Sequence, residues 1–233
     1  MIYALLGFIL GFSIPYTARR FAKFMPATLA YAIYRIFTPN KRVSAQKRLN
    51  NAKYLKLRNR YFMRSLGWGI TASSILFLTS ITTSQYEAPW ISFFIIILLL
   101  LMEIDNRIMY LPDILTSPLL ISGFAYSTFA GYILGENIPS STANSALGAI
   151  FGYMLPVIAS LLLIKRHPNN LGGGDIKILS GIGAWLGLSN IPFVILLSCP
   201  IFAVSCYINK QKQGAFGPSI VISALIILFL IQY

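Results

Sequence analysis

The chain has 233 residues, 56% of them hydrophobic and only 11% charged, with a mean hydropathy of +0.70. A soluble domain carries roughly a quarter charged residues, so this composition excludes an ordinary water-soluble protein and points to several membrane spans. Long apolar runs dominate over alternating strands, which makes helices the spanning element and an all-α polytopic bundle the expected fold.

In chain order, residues 1–17 are apolar, and Arg19, Arg20 and Lys23 follow that run instead of preceding it. A cleavable signal peptide has the reverse order, so this segment is expected to be a first transmembrane helix with its N-terminus outside. Residues 24–38 mix Met25, Leu29, Tyr31, Ile33, Tyr34 and Phe37 with Pro26, which suits an interfacial helix better than a span. Residues 35–64 supply most of the net charge of +13. They are expected to lie against anionic lipid headgroups, with a substrate-docking site as the sharper alternative. No aromatic stacking platform accompanies the charge, so nucleic acid is not an expected partner.

Further near-spanning apolar runs occupy 66–84, 90–104, 114–135, 143–164, 176–188, 191–208 and 218–232, giving about eight transmembrane helices. With that layout all nineteen Lys and Arg fall on one side or at its lip, while the opposite loops hold only Glu87 and Glu136. The basic side is therefore expected to be cytoplasmic. Two domains are expected: 1–65, the first helix with its basic loop, and 66–233, the remaining helices. Cys199 and Cys206 share one apolar run, without CxxC spacing, and are expected to be packing residues. His167 is the only histidine, and no set of three or four zinc ligands surrounds it, so no metal or other cofactor is expected.

Two aspartates stand at the edges of apolar runs on the cytoplasmic side. Asp105 ends the run 90–104 and opens the polar stretch to Asp113, while Asp175 closes the turn Leu171-Gly172-Gly173-Gly174 and leads into 176–188. Carboxylates at a membrane are costly to keep and are functional candidates for that reason. They lie 70 positions apart and can meet only through helix packing. If they meet, one ionised carboxylate can activate water while a protonated partner donates to a peptide carbonyl, because close like charges do not both ionise cheaply.

Three consecutive glycines, Gly172, Gly173 and Gly174, are expected to defeat helical order and let a substrate backbone approach Asp175. A plain turn with Asp175 as a helix cap is the equal alternative from this motif alone. Asp113 follows Pro112 before an apolar run and reads as a helix N-cap. Glu103 is two positions from Asp105, on another helix face, and physics alone leaves it open as the active carboxylate.

Ile104-Asp105 through Leu111-Pro112-Asp113, then Gly172-Gly173-Gly174-Asp175-Ile176-Lys177-Ile178-Leu179 and Gly183-Ala184-Trp185-Leu186-Gly187, resemble the type IV prepilin peptidases, inner-membrane aspartic proteases of the GxGD type. Phe216-Gly217-Pro218 is similar to the family's short motif before its last span. The resemblance covers about residues 95–225 and implies that Asp105 and Asp175 are the catalytic pair and that Glu103 and Asp113 are not. It implies cleavage of the basic leader of a prepilin-like protein at the cytoplasmic membrane face.

The N-terminal third departs from the pattern. Gly7, Gly11, Phe12 and Ser13 are faintly similar to the family's opening span, and Arg60-Tyr61 to the end of its cytoplasmic domain. Large family members carry two CxxC pairs there, associated with zinc and methyl transfer, and residues 18–65 of this chain contain no cysteine. The resemblance thus supports peptidase activity and does not extend to methyl transfer. The alternatives are a non-enzymatic subunit or transporter of a pilus, secretion or conjugation system, and a GxGD protease with other membrane clients. A transporter is disfavoured by the absence of an internal repeat.

Overall fold

A computed structural model describes residues 1–24, 52–133, 138–163, 172–210 and 214–232. Among the described residues there are eight α-helices and no strand. They are α1 (Ile2–Phe24), α2 (Ala52–Thr82), α3 (Ala88–Ile108), α4 (Asp113–Ile133), α5 (Ile138–Leu163), α6 (Gly173–Leu186), α7 (Ile191–Asn209) and α8 (Gly217–Gln232). Each apolar run read from the sequence falls on its own helix. Five helices contain segments long and apolar enough to cross a membrane: Ile2–Ala22, Arg58–Thr82, Ala88–Ile108, Ser141–Leu161 and Ile191–Asn209. The chain is a multi-pass helical membrane protein. The interfacial helix expected at 24–38 lies outside the described residues except for Phe24, which belongs to α1; His167 also lies outside them.

Two compact units divide the chain, Met1–Ile81 and Thr82–Tyr233. In the first, α1 meets α2 at glycines. A Cβ at Gly11 would stand 2.5 Å from the Trp68 carbonyl oxygen, and one at Gly7 2.9 Å from that of Ala72. Ser73 Oγ donates to the Ala4 carbonyl at 2.8 Å across the same contact. Small residues let helix backbones close on each other, and in lipid that packing is a main source of helix association.

In the second unit α6 is an interior helix. Its 14 residues reach about 21 Å at 1.5 Å per residue, short of the roughly 30 Å hydrocarbon core. Ile178, Leu179 and every residue from Gly181 to Leu186 are buried. It packs against α4 and α5, where Gly183 and Gly148 oppose one another so closely that neither could carry a Cβ. Ser145 Oγ donates to the Ala184 carbonyl at 2.6 Å and Ser180 Oγ to that of Ala149 at 3.0 Å.

Trp185 stacks between Phe94 and Tyr126, with ring centroids 4.7 and 4.9 Å away, and its Nε1 donates to the Leu119 carbonyl at 2.9 Å. A buried indole N–H left without an acceptor would be costly, so this bond fixes the α6 register against α4. Gly187, at φ 77°, ends the helix with its N–H on the Gly183 carbonyl. The Gly183-Ala184-Trp185-Leu186-Gly187 run is therefore explained by packing and helix termination. α3 carries the fully buried Phe94, Ile95, Leu98, Leu101 and Ile104, and α8 packs against α3 and α7. Cys199 and Cys206 both lie on α7 as free thiols, Cys199 exposed, so only Cys206 is even partly packed.

Candidate active site

Asp105, which ends the apolar run 90–104, lies within the last turn of α3, and the helix continues past that run. Two local bonds carry the helix onward to Ile108. Arg107 Nε donates to Glu103 Oε1 at 2.8 Å, an i,i+4 ion pair, and the Met109 N–H, in the left-handed conformation at φ 50°, closes on the Asp105 carbonyl at 2.8 Å. The Asp105 side chain is buried, 4% exposed, and its Oδ2 accepts the main-chain N–H of Gly217 at 2.9 Å. Gly217 is the first residue of α8, so that N–H has no partner within its own helix. A carboxylate at a helix N-terminus meets both the free donor and the positive end of the helix dipole.

Asp175 stands in the first turn of α6. Gly172 is the extended N-cap at φ −69° and ψ 137°, and Gly173 and Gly174 are already helical, which corrects the expectation that three glycines defeat helical order. None of the three has a positive φ; Gly187 is the positive-φ glycine among the described residues. What Gly172 and Gly174 provide is space. A Cβ at Gly174 would stand 2.8 Å from the Leu111 Cβ, and one at Gly172 3.1 Å from Asp175 Oδ2, while Gly173 faces nothing within 4 Å. The Gly172 main chain also faces the Asp175 carboxylate, the N-cap to N3 relation of a capping box. The helix-terminus role and exposure to a second carboxylate thus coexist at Asp175.

Asp105, from the C-terminal turn of α3, is within electrostatic reach of Asp175 in the N-terminal turn of α6. Leu111, which touches Gly174, belongs to the segment joining α3 to α4 and is itself buried.

The other acids on this side are committed elsewhere. Glu103 is fully buried and paired with Arg107 Nη2 at 2.7 Å. Asp113 is not an N-cap: the Pro112 carbonyl accepts the N–H groups of Leu115 and Thr116, and the Asp113 side chain pairs with Lys177 of α6. That pair is about half exposed on both partners and contributes at most about 1 kcal/mol. Two features escaped the sequence reading. The Glu103–Arg107 pair was legible as an acid four residues ahead of a base in a helical run. Gly217 was legible as part of the Phe216-Gly217-Pro218 motif before the last span, which says nothing of the carboxylate it meets.

A family model described as the type IV leader peptidase family matches residues 92–208, about half of the chain. The chain belongs to that family. The matched segment runs from α3 into α7 and contains both aspartates. Similar curated proteins are prepilin leader peptidase/N-methyltransferases. That of Neisseria gonorrhoeae is 31% identical over 151 residues, 61% of this chain and 50% of the relative. That of Vibrio cholerae serotype O1 is 29% identical over 183 residues, 74% and 66% of the two chains. That of Aeromonas salmonicida is 32% identical over 173 residues, 70% and 50%. The chain spans between half and two thirds of the length of these family members. No solved structure matches it.

Proposed function

We propose that this chain is an aspartic endopeptidase that removes the basic leader of prepilin-like proteins at the cytoplasmic face of the bacterial inner membrane, with Asp105 and Asp175 as its catalytic pair. What supports the reading is that Asp105 lies within electrostatic reach of Asp175, 70 positions further along the chain, and that both fall inside the segment that matches the leader peptidase family. Two close carboxylates share one proton. The ionised member takes a proton from a bound water as the water oxygen attacks the scissile carbonyl carbon. The protonated member donates to the carbonyl oxygen. Collapse of the tetrahedral adduct breaks the C–N bond, and the leaving amine receives the proton taken from water. Because the pair titrates as one unit, the two roles belong to the dyad and not to fixed residues.

The sidedness rests on the basic residues, which the span assignment gathers on the same side as both aspartates. The resemblance to prepilin peptidases implies the client, an apolar helix in the membrane, and the charge argument places the bond to be cut at its cytoplasmic end. The 18–65 segment contains no Cys, His, Asp or Glu that could ligate zinc.

Co-expression with a candidate prepilin, followed by mass measurement of its N-terminus, tests the reading. The wild-type chain should release the leader, and Asp105→Asn and Asp175→Asn should each abolish release while still inserting in the membrane. Single members of a catalytic unit are not additive, so each loss should approach that of the pair. Near-normal processing by either variant overturns the dyad. An added methyl group on the new N-terminus would show that methyl transfer does not need the cysteine pairs.

A further inference from the structure

The first turn of α8 carries a main-chain group that the family reading leaves without a task. Asp105 is buried to 4% exposure, and among the described residues its carboxylate accepts a hydrogen bond from the Gly217 N–H at 2.9 Å. A Cβ on Gly217 would stand 2.6 Å from Oδ2, 3.0 Å from Cγ and 3.2 Å from the Cβ of Asp105. The backbone of Gly217 does not lie in the left-handed region, so conformation alone does not call for glycine there. Space does. Asp175 is treated in the same way, since a Cβ at Gly172 would press on its Oδ2 at 3.1 Å. Each carboxylate of the pair faces a bare glycine, Asp105 one from another helix and Asp175 the N-cap of its own.

We propose that Gly217 is a positioning residue for Asp105: its N–H holds one carboxylate oxygen and its missing side chain lets α8 close on the carboxyl group, so that the last helix sets the aim of α3's aspartate. The inference rests on the reading of Asp105 as half of the catalytic pair. The bond to Oδ2 leaves Oδ1 as the oxygen free to meet water or the scissile carbonyl. Gly217 belongs to the Phe216-Gly217-Pro218 motif but lies beyond the segment that matches the family model, and its place beside Asp105 is seen in the packing: α8 lies against α3 and delivers its first free N–H to a carboxylate 112 positions earlier.

The test measures cleavage of a prepilin-like substrate by the full chain in lipid nanodiscs, with Tm recorded for every variant. Gly217→Ala adds only the Cβ. A displacement near 1 Å in a catalytic geometry costs about 100-fold, so kcat should fall by about that factor with KM within about twofold and Tm little changed. Pro218→Ala alone should behave as wild type, and the double variant Gly217→Ala/Pro218→Ala should keep the kcat defect, because the restriction a proline places on its predecessor is then removed. Wild-type kcat in Gly217→Ala, or recovery of kcat on adding Pro218→Ala, overturns the proposal. So does a joint change of kcat, KM and Tm, which marks a purely structural contact.

If Gly217→Ala fails to accumulate, Gly217→Ala/Asp105→Ala decides. Restored accumulation locates the clash at the carboxylate, as proposed, and continued failure assigns Gly217 to the folding of α8 and overturns it. Asp105→Asn, measured in parallel, separates the two levels. Activity in Asp105→Asn defeats the dyad itself, whereas an inactive Asp105→Asn beside a fully active Gly217→Ala defeats only the positioning role.

Discussion

At the scale of single residues, four acids on the proposed cytoplasmic side have distinct environments that follow from what each touches. Asp105 meets a helix N-terminus, Asp175 begins a helix, Asp113 pairs with an exposed lysine, and Glu103 is sealed against Arg107. Glu103 is fully buried and the Arg107 side chain is only 17% exposed. Removing one partner of a buried pair leaves the other charge uncompensated, which costs about 3–5 kcal/mol. Glu103→Ala should therefore lower the stability of the chain in detergent or lipid by an amount of that order. Cleavage per folded molecule should persist, because the change removes a structural ion pair and neither aspartate. A Glu103→Ala protein with unchanged Tm and abolished cleavage would instead make Glu103 part of the chemistry.

At the scale of elements, the start of α6 is set by what it must pass. Gly174 is in helix and touches Leu111, so its glycine is a packing requirement between α6 and the segment joining α3 to α4. Gly174→Ala should push the first turn of α6, and with it Asp175, away from Asp105, and reduce cleavage by about tenfold or more. Leu111→Ala in the same chain removes the atoms that the new Cβ meets and should restore part of the activity, a coupling that a double-mutant cycle reads directly. Additive losses would show that the two sites act independently and that the contact does not position Asp175. The Trp185 stack and the Ser145 and Ser180 hydroxyl bonds hold the rest of α6, so the effect should stay at its N-terminal end.

At the scale of the whole molecule, the chain carries +13 net charge, and 35–64 is its main basic segment. We propose that this segment holds the cytoplasmic face against anionic lipid, each basic residue near the surface contributing up to about 1 kcal/mol. Replacing Lys41, Arg42, Lys47, Arg48 and Lys53 with Gln should weaken binding of the detergent-solubilised chain to vesicles containing phosphatidylserine, and the loss should shrink as salt is raised. It should change leader cleavage less than it changes lipid binding. Correct insertion and normal lipid binding with loss of one client alone would make the segment a docking site for that client.

The sequence by itself determined the membrane class, the helical architecture and the eight apolar segments, because apolar length and charge placement are local quantities that survive without knowledge of packing. It also marked Asp105 and Asp175, since a carboxylate beside a spanning run is conspicuous in one dimension. It misread the ends of elements. The Glu103–Arg107 pair and the Met109 cap carry α3 past the apolar run 90–104, Pro112 takes the cap position expected of Asp113, and α6 begins inside the glycine run. Only the tertiary structure decided which groups surround each carboxylate. Gly217 is 112 positions from Asp105, and Leu111 touches Gly174 across the join of two helices. No spacing rule connects such residues, because close approach between helices depends on which side chains are absent, and an absent side chain shows its purpose only when the neighbour it makes room for is in place.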